Sequence, residues 1–239
     1  IFPIDSEHSA IWQCMIGEDP NQIERLILTA SGGPFRELPY DRFEHITIKD
    51  ALNHPNWEMG SKISVDSATM MNKGFEVIEA YWLFNLEPSQ IDIVVHPQSI
   101  IHSMVEFTDG SIKAQMGEPN MKTPIQFALS FPNRYLSQVE SFNFFDNNNL
   151  TFEKPNLKKF PCIRIAKDAL LSGGSHQVVL NVANDQAVFK FLNKEISFMD
   201  IPLLIENCIN KHDIINKPTL DDINNLTLWT KDYIKKGAL

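Results

Sequence analysis

Hydrophobic and polar positions follow two regimes along this 239-residue chain. In the first half, short apolar runs rich in β-branched residues read as buried strands, namely Arg25 to Thr29 (RLILT) and Ile91 to Val95 (IDIVV). Two further runs, Ser99 to Phe107 and Ser111 to Met116, flank Thr108-Asp109-Gly110, and the Asp-Gly pair predicts a hairpin that pairs them antiparallel. A helical period governs Ser64 to Asn85, where Met71, Phe75, Ile78 and Trp82 recur at i, i+4, i+7 and i+11. Met70, Val77 and Tyr81 continue this apolar surface, while Thr69, Asn72, Lys73, Glu76 and Glu79 share a polar arc of roughly 120°. A short helix follows Thr123-Pro124 to about Ser130, and Pro132 with Asn147-Asn148-Asn149 marks a connector. From about Phe160 onward four helical segments, near 161–172, 175–194, 199–211 and 219–236, predict an antiparallel bundle.

The expected fold class is α+β: a domain over 1–121 with a mixed β-sheet and helices, a connector over 122–156, and a helical bundle over 157–239. The segment from Gly32 to Lys62, rich in Pro, Gly and aromatics with only short helical signals, reads as a mobile lid. With 43% hydrophobic residues the chain can bury a sizeable core, and no apolar run approaches the roughly 18 residues of a membrane span. Cys14, Cys162 and Cys208 are odd in number, scattered and without CxxC spacing, which fits a reducing compartment and excludes a disulfide or zinc framework. A net charge of −9 argues against nonspecific binding to nucleic acid or anionic membrane. Any anionic substrate must therefore meet a local positive site. Ile1-Phe2-Pro3-Ile4 shows no targeting pattern and reads as the interior of a larger protein. None of the ten glycines forms GxGxxG or a P-loop, so a dinucleotide cofactor would need another domain.

Candidate chemistry gathers in four strings. In Ile4-Asp5-Ser6-Glu7-His8, an extended backbone would put Asp5 and Glu7 on one side about 6–7 Å apart, within reach of one hard cation. The other reading is a solvated strand end or a helix start capped by Asp5 before Ala10 and Ile11. The polar arc of the 64–85 helix is either an ordinary solvated stripe or a working face, and Asp66 and Ser67 are expected near its N-terminus, an end that attracts phosphate. Ser31-Gly32-Gly33, after the first strand, offers either an anion cradle of backbone N–H groups and a hydroxyl, or a plain turn. His54-Pro55-Asn56-Trp57, in the proposed lid, supplies either a phosphate-binding imidazole with an indole cover or a loop tip with incidental aromatics. Together these residues fit a site with Asp5, Glu7 and Glu76 as oxygen ligands of Mg²⁺ or Mn²⁺, opposite Ser31, Ser67, Asn72 and Lys73 as phosphate binders. A polyhydroxylated sugar phosphate suits that division. His96 and His102 are given a structural role only.

The strings PIDSEHSAIWQ (3–13), LTASGGPFRE (28–37), HPNWEMGSKISVDSATMMNKGFEVIEA (54–80) and VHPQSIIHSMVEFTDGS (95–111) closely resemble the 1-deoxy-D-xylulose 5-phosphate reductoisomerase family, and similarity in order extends through FPCIRIA (160–166) and LNVAND (180–185). The resemblance implies the catalytic domain and C-terminal bundle of an NADPH-dependent oxidoreductase/isomerase, without its N-terminal NADPH-binding domain. It implies a metal-assisted rearrangement of 1-deoxy-D-xylulose 5-phosphate by retroaldol and aldol steps, then reduction to 2-C-methyl-D-erythritol 4-phosphate in non-mevalonate isoprenoid synthesis. Carried over by matching strings, Asp5, Glu7 and Glu76 hold the metal and join Lys73 as the catalytic set. Ser6 contacts the substrate backbone; Ser31, His54, Ser67, Asn72 and Lys73 hold phosphate and hydroxyls; Trp57 closes over the substrate; Met121 sits near the nicotinamide. A homodimer through the catalytic domain, in bacterial cytoplasm or plastid, is implied as well, and the isolated chain is expected to be nearly inactive. Two departures, Asn120 where Asp is expected and Asp185 where Glu is usual, touch none of these contacts. The alternative function is a non-catalytic, metal-dependent sugar-phosphate-binding module.

Overall fold

The structure, a computed structural model, describes residues 1–54, 57, 59–146 and 148–237. Its backbone divides into two compact units, each discontinuous in sequence: unit 1 comprises Ile1–Gly32 and Glu79–Pro155, and unit 2 comprises Gly33–Ile78 and Asn156–Leu239. The expected 1–121 domain is thus shared between them, and the expected connector falls almost wholly inside unit 1. Of the two Asn-rich and lid strings, Asn147, Pro55 and Asn56 lie outside the described residues.

Unit 1 is built on a mixed four-stranded sheet in the order β2-β1-β3-β4, formed by β1 (Ile23–Ala30), β2 (Ile91–Val95), β3 (Ile101–Phe107) and β4 (Ile112–Met116). The parallel pair β1/β2 is fully buried at Leu26 and Ile91; β3 and β4 pair antiparallel as the Asp-Gly turn predicts, and β1 also pairs antiparallel with β3, a contact between strands that are not consecutive in sequence. Gly110 supplies the positive φ of 82° that the β3–β4 turn needs, and the Phe107 N–H donates to the Ser111 carbonyl at 2.9 Å to close it. Arg25 on β1 clasps both neighbours, donating from its Nε to Glu106 at 2.5 Å and from its Nη1 to Asp92 at 2.7 Å. Against this sheet lies α1 (Ser6–Met15), which buries His8, Ala10, Ile11 and Cys14. α5 (Lys122–Ser130) packs on α1 through Trp12, Phe127 and Phe131, whose ring centroids lie 4.8–5.8 Å apart.

Unit 2 contains α2 (Ile48–Leu52), α3 (Ser61–Thr69), the first part of α4 (Met71–Phe84), α6 (Cys162–Ser172), α7 (His176–Leu192), α8 (Asp200–Lys211) and α9 (Leu220–Lys235). The four C-terminal helices fall where their period predicts, with α7 at the centre, packed on α6, α8, α9 and also α3. That position explains why Leu180, Ala183, Ala187 and Val188 are fully buried. The lid segment is more structured than expected: it holds a 3₁₀ turn over Tyr40–His45, and α2 starts with a capping box between Thr47 and Asp50.

Two expectations are corrected here. The single 64–85 helix is two, because Met70 adopts the left-handed conformation at φ 59°, ψ 17° and donates its N–H to the Ser67 carbonyl at 3.1 Å. Asp66 and Ser67 therefore sit at the C-terminal end of α3, where the helix dipole repels anions, and the phosphate-attracting N-terminus is that of α4, at Asn72 and Lys73. The proposed apolar surface is borne out only in part: Met70, Met71 and Val77 are buried, but Trp82 is 67% exposed, and Lys73 and Glu76 of the polar arc are buried as well.

Candidate metal and phosphate half-sites

In unit 1 the sequence Asp5-Ser6-Glu7-His8 does not run extended; α1 begins at Ser6, with Asp5 at the N-cap position. Asp5 makes no side-chain cap, so its carboxylate is not consumed by the helix end. One helical turn on, the wholly buried His8 ring places Nδ1 3.4 Å from the Asp5 Oδ2 and 3.6 Å from the Glu79 Oε2. The ligand atoms of Asp5, His8 and Glu79 all lie within 4.8 Å of one another. Glu7 accepts a 2.5 Å hydrogen bond from the Ser6 hydroxyl, which fixes one carboxylate oxygen. His102 on β3 feels Glu7 as well: burial holds its pKa below the usual histidine value, and the Glu7 charge opposes that. His96, by contrast, ties a turn, with Nδ1 at 2.9 Å from the Thr151 carbonyl and Nε2 accepting the Ile100 N–H at 3.2 Å. The carboxylates of Asp5 and Glu7 are hard oxygen donors and fit a Mg²⁺-type ion better than a soft metal. Ser31 is half-buried just past β1, and Met121, 37% exposed, stands at the start of α5.

Unit 2 presents the complementary chemistry on the first turns of α4. Glu76 is 1% exposed and Lys73 5% exposed; the Lys73 ammonium meets the Glu76 Oε2 at 2.5 Å, and the Asn72 amide donates to the Oε1 at 2.6 Å. Residues three and four apart share one helix face, so this trio follows directly from the spacing. A lysine and a glutamate buried together are costly unless paired and hydrogen-bonded, as they are here. His54 Nδ1 accepts the Trp57 backbone N–H at 3.0 Å, which puts the proton of the neutral ring on Nε2. Burial keeps that ring neutral by holding its pKa below the usual value. Gly33, at φ 68°, is required for a different reason from the expected cradle: a Cβ there would stand 2.6 Å from the Ser67 carbonyl oxygen.

Two features escape the sequence reading. His8 lies in the singled-out string, and its i, i+3 spacing from Asp5 was the available signal. The other is a brace between α3 and α7, where the buried Asp66 accepts from the Asn184 amide at 2.8 Å and from Lys62 at 2.6 Å, with Asp185 at 3.1 Å from Lys62. Asp66 and Asn184 are 118 positions apart, so no local pattern could join them. The three thiols add no ligand or nucleophile: burial pushes Cys14 up to about 11, and Cys162 and Cys208 to about 12.

Comparison with known proteins agrees with these strings. The family model described as 1-deoxy-D-xylulose 5-phosphate reductoisomerase C-terminal domain matches residues 1–84, and that described as DXP reductoisomerase C-terminal domain matches residues 116–233. Curated 1-deoxy-D-xylulose 5-phosphate reductoisomerases from Chloroherpeton thalassium and Acetivibrio thermocellus are 54% and 50% identical over 238 and 236 residues, covering 100% and 99% of this chain. The chain spans 62% of the length of these relatives. Among solved structures, the Zymomonas mobilis enzyme in complex with NADPH superposes with a TM-score of 0.92 at 41% identity, covering 99% of this chain and 61% of the other. A DOX-P reductoisomerase in complex with NADPH, fosmidomycin and magnesium gives 0.92 at 40% identity, covering 100% and 63%.

Proposed function

The chain belongs to the 1-deoxy-D-xylulose 5-phosphate reductoisomerase family, and from that premise we propose that it carries the metal- and substrate-binding part of the enzyme, acting on 1-deoxy-D-xylulose 5-phosphate. The observation that carries the reading is the buried Lys73–Glu76–Asn72 trio on α4, because an ion pair so deeply buried is poor value for stability alone. The magnesium and NADPH named with related structures support the same cofactors here, with manganese as an equivalent hard ion.

In this reading Asp5, Glu7 and Glu76 hold the divalent cation, which when bound supplies Lewis-acid polarisation of substrate oxygens. Lys73 and Asn72, at the positive end of α4, take the phosphate together with Ser31 and with the Ser67 hydroxyl, which serves as a neutral side-chain donor and draws no help from the C-terminal end of α3 where it stands. His54 adds a neutral Nε2–H donor, which binds a phosphate oxygen without adding charge, and its bond to the Trp57 backbone links that contact to the indole that closes over the substrate. Ser6, already donating to Glu7, orients that carboxylate and meets the substrate backbone. Met121 lies toward the nicotinamide. Rearrangement and NADPH-dependent reduction to 2-C-methyl-D-erythritol 4-phosphate, on the route to isoprenoids, are activities of the whole enzyme, in a homodimer in bacterial cytoplasm or plastid; this 239-residue polypeptide alone holds no dinucleotide fingerprint and does not deliver hydride.

Calorimetric titration of this chain with 1-deoxy-D-xylulose 5-phosphate, with and without Mn²⁺, tests the reading. Metal-dependent binding supports it, and metal-independent or absent binding counts against it. Assay of turnover in the presence of an NADPH-binding domain separates the alternative, since a binding module remains without turnover.

A further inference from the structure

Unit 2 contains a cavity of about 250 Å³ that no step above uses, set between the 3₁₀ turn of Tyr40–His45, the start of α6 and the start of α8. Its walls are the rings of Phe43, Phe160 and Phe198, all at most 5% exposed. Phe43 meets Phe160 and Phe198 edge-on, with centroids 5.9 Å apart in both cases and interplanar angles of 61° and 68°. Such a wall offers a further planar ring the edge-to-face contacts that aromatic groups prefer.

The rim is charged, and the two signs are treated unequally. Glu206 is neutralised by Arg164, whose Nη2 lies 2.5 Å from its Oε1. Lys159 is not: its ammonium donates to the Arg36 carbonyl at 2.7 Å and stands 5.5 and 5.6 Å over the Phe43 and Phe160 rings, and among the described residues no carboxylate pairs with it. Burial, and then the charge of Arg36, hold its pKa below the usual lysine value, with the Glu37 charge opposing them. A carbonyl and ring faces solvate an ammonium without cancelling its charge.

We propose that this cavity binds a small aromatic carboxylate, its ring held among Phe43, Phe160 and Phe198 and its carboxylate on Lys159. Size agrees: an apolar cavity of about 150 Å³ takes benzene, so about 250 Å³ takes one ring with its carboxyl group. A ligand of this size should bind with a dissociation constant on the order of 0.1–1 mM. The site is separate from the residues assigned to metal and phosphate, so the proposal stands or falls independently of that assignment.

Ligand-observed NMR titration with benzoate, benzyl alcohol and acetate tests it, because the last two each carry half of the recognition. Benzoate is expected to bind about tenfold more tightly than either. Lys159→Gln should reduce benzoate to the level of benzyl alcohol, and Leu203→Trp, which fills the cavity from the rim, should abolish both. Circular dichroism and thermal melting of each variant confirm the fold. No benzoate binding to the parent chain, equal binding of benzoate and acetate, or unchanged benzoate affinity in both folded variants would overturn the proposal.

Discussion

In unit 1 the Asp5 side chain is 43% exposed and shares His8 with an exposed Glu79, whereas in unit 2 Glu76 is 1% exposed and has both carboxylate oxygens engaged by Lys73 and Asn72. Exposed carboxylates are well hydrated and gain little from pairing, so those of unit 1 can accept a cation at small cost. The buried Glu76 cannot stand alone: on the proposed assignment, a phosphate that draws Lys73 away would leave it in want of positive charge, which a bound divalent ion would supply. Metal and phosphate binding should therefore reinforce each other, and by linkage each should tighten the other by the same factor.

The difference can be broken most severely at Lys73. Lys73→Ala leaves a buried carboxylate without its cation, and urea denaturation should show a loss of about 3–5 kcal/mol. In the surviving folded fraction, phosphorylated ligands should weaken far more than their dephosphorylated analogues; equal weakening would make Lys73 purely structural. Glu76→Gln keeps the size but removes the charge and leaves one acceptor oxygen for two donors, Lys73 and Asn72, so it too should lower stability, by about 3 kcal/mol in urea denaturation. In the folded fraction, metal-dependent sugar-phosphate binding should fall about 100-fold in calorimetry, some 2.7 kcal/mol. Unchanged metal dependence would remove Glu76 from the ligand set. A backbone version of the comparison sets Gly33 against Gly110. Both have positive φ, but a Cβ at Gly33 meets the Ser67 carbonyl at 2.6 Å and one at Gly110 meets nothing within 4 Å. Gly33→Ala should cost about 2–3 kcal/mol and Gly110→Ala about 1, read by chemical denaturation.

The smallest effect concerns pH. Within unit 2, Ser175 bonds the His212 Nε2 at 3.0 Å while its Oγ accepts the Ile215 N–H at 2.9 Å, and His212 Nδ1 lies 2.7 Å from the Ile209 carbonyl. Burial first, with a smaller contribution from His176, holds the His212 pKa below its usual value, against the opposing effects of the hydrogen bond to the Ile209 carbonyl and of Asp213. Its contribution to stability is present above the unfolded histidine value of about 6.5 and is lost as pH falls through the folded value, with a slope of at most about 1.4 kcal/mol per pH unit. His212→Gln should flatten the acid limb of stability against pH; an unchanged limb would place its cause elsewhere.

Elements with a local cause were legible in sequence. The Asp-Gly turn fixed the β3–β4 pairing, and periodicity located α6 to α9. What stayed hidden has non-local causes. Nothing in SATMMNKG marks a helix break, since Met70 has no intrinsic taste for a left-handed backbone; the surrounding packing over-determines it. Periodicity also put Trp82 inside and left the arc of Lys73 and Glu76 open between a solvated stripe and a working face, because a hydrophobic count cannot foresee that a lysine and a glutamate are buried as a pair. Asp5 and Glu7 were recognised by type, but whether their segment was extended or helical was undecided until α1 was seen to begin at Ser6.

The chain passes from one unit to the other at 32/33, 78/79 and 155/156, the second crossing lying within α4 itself. Neither unit can thus be released by one proteolytic cut or expressed by trimming a terminus, and a nascent chain emerging from the ribosome must keep β1 waiting until β2 and β3 are made before its sheet can close. Synthesis order and folding order are uncoupled here, and a truncation that removes one unit removes strands or helices from the other as well.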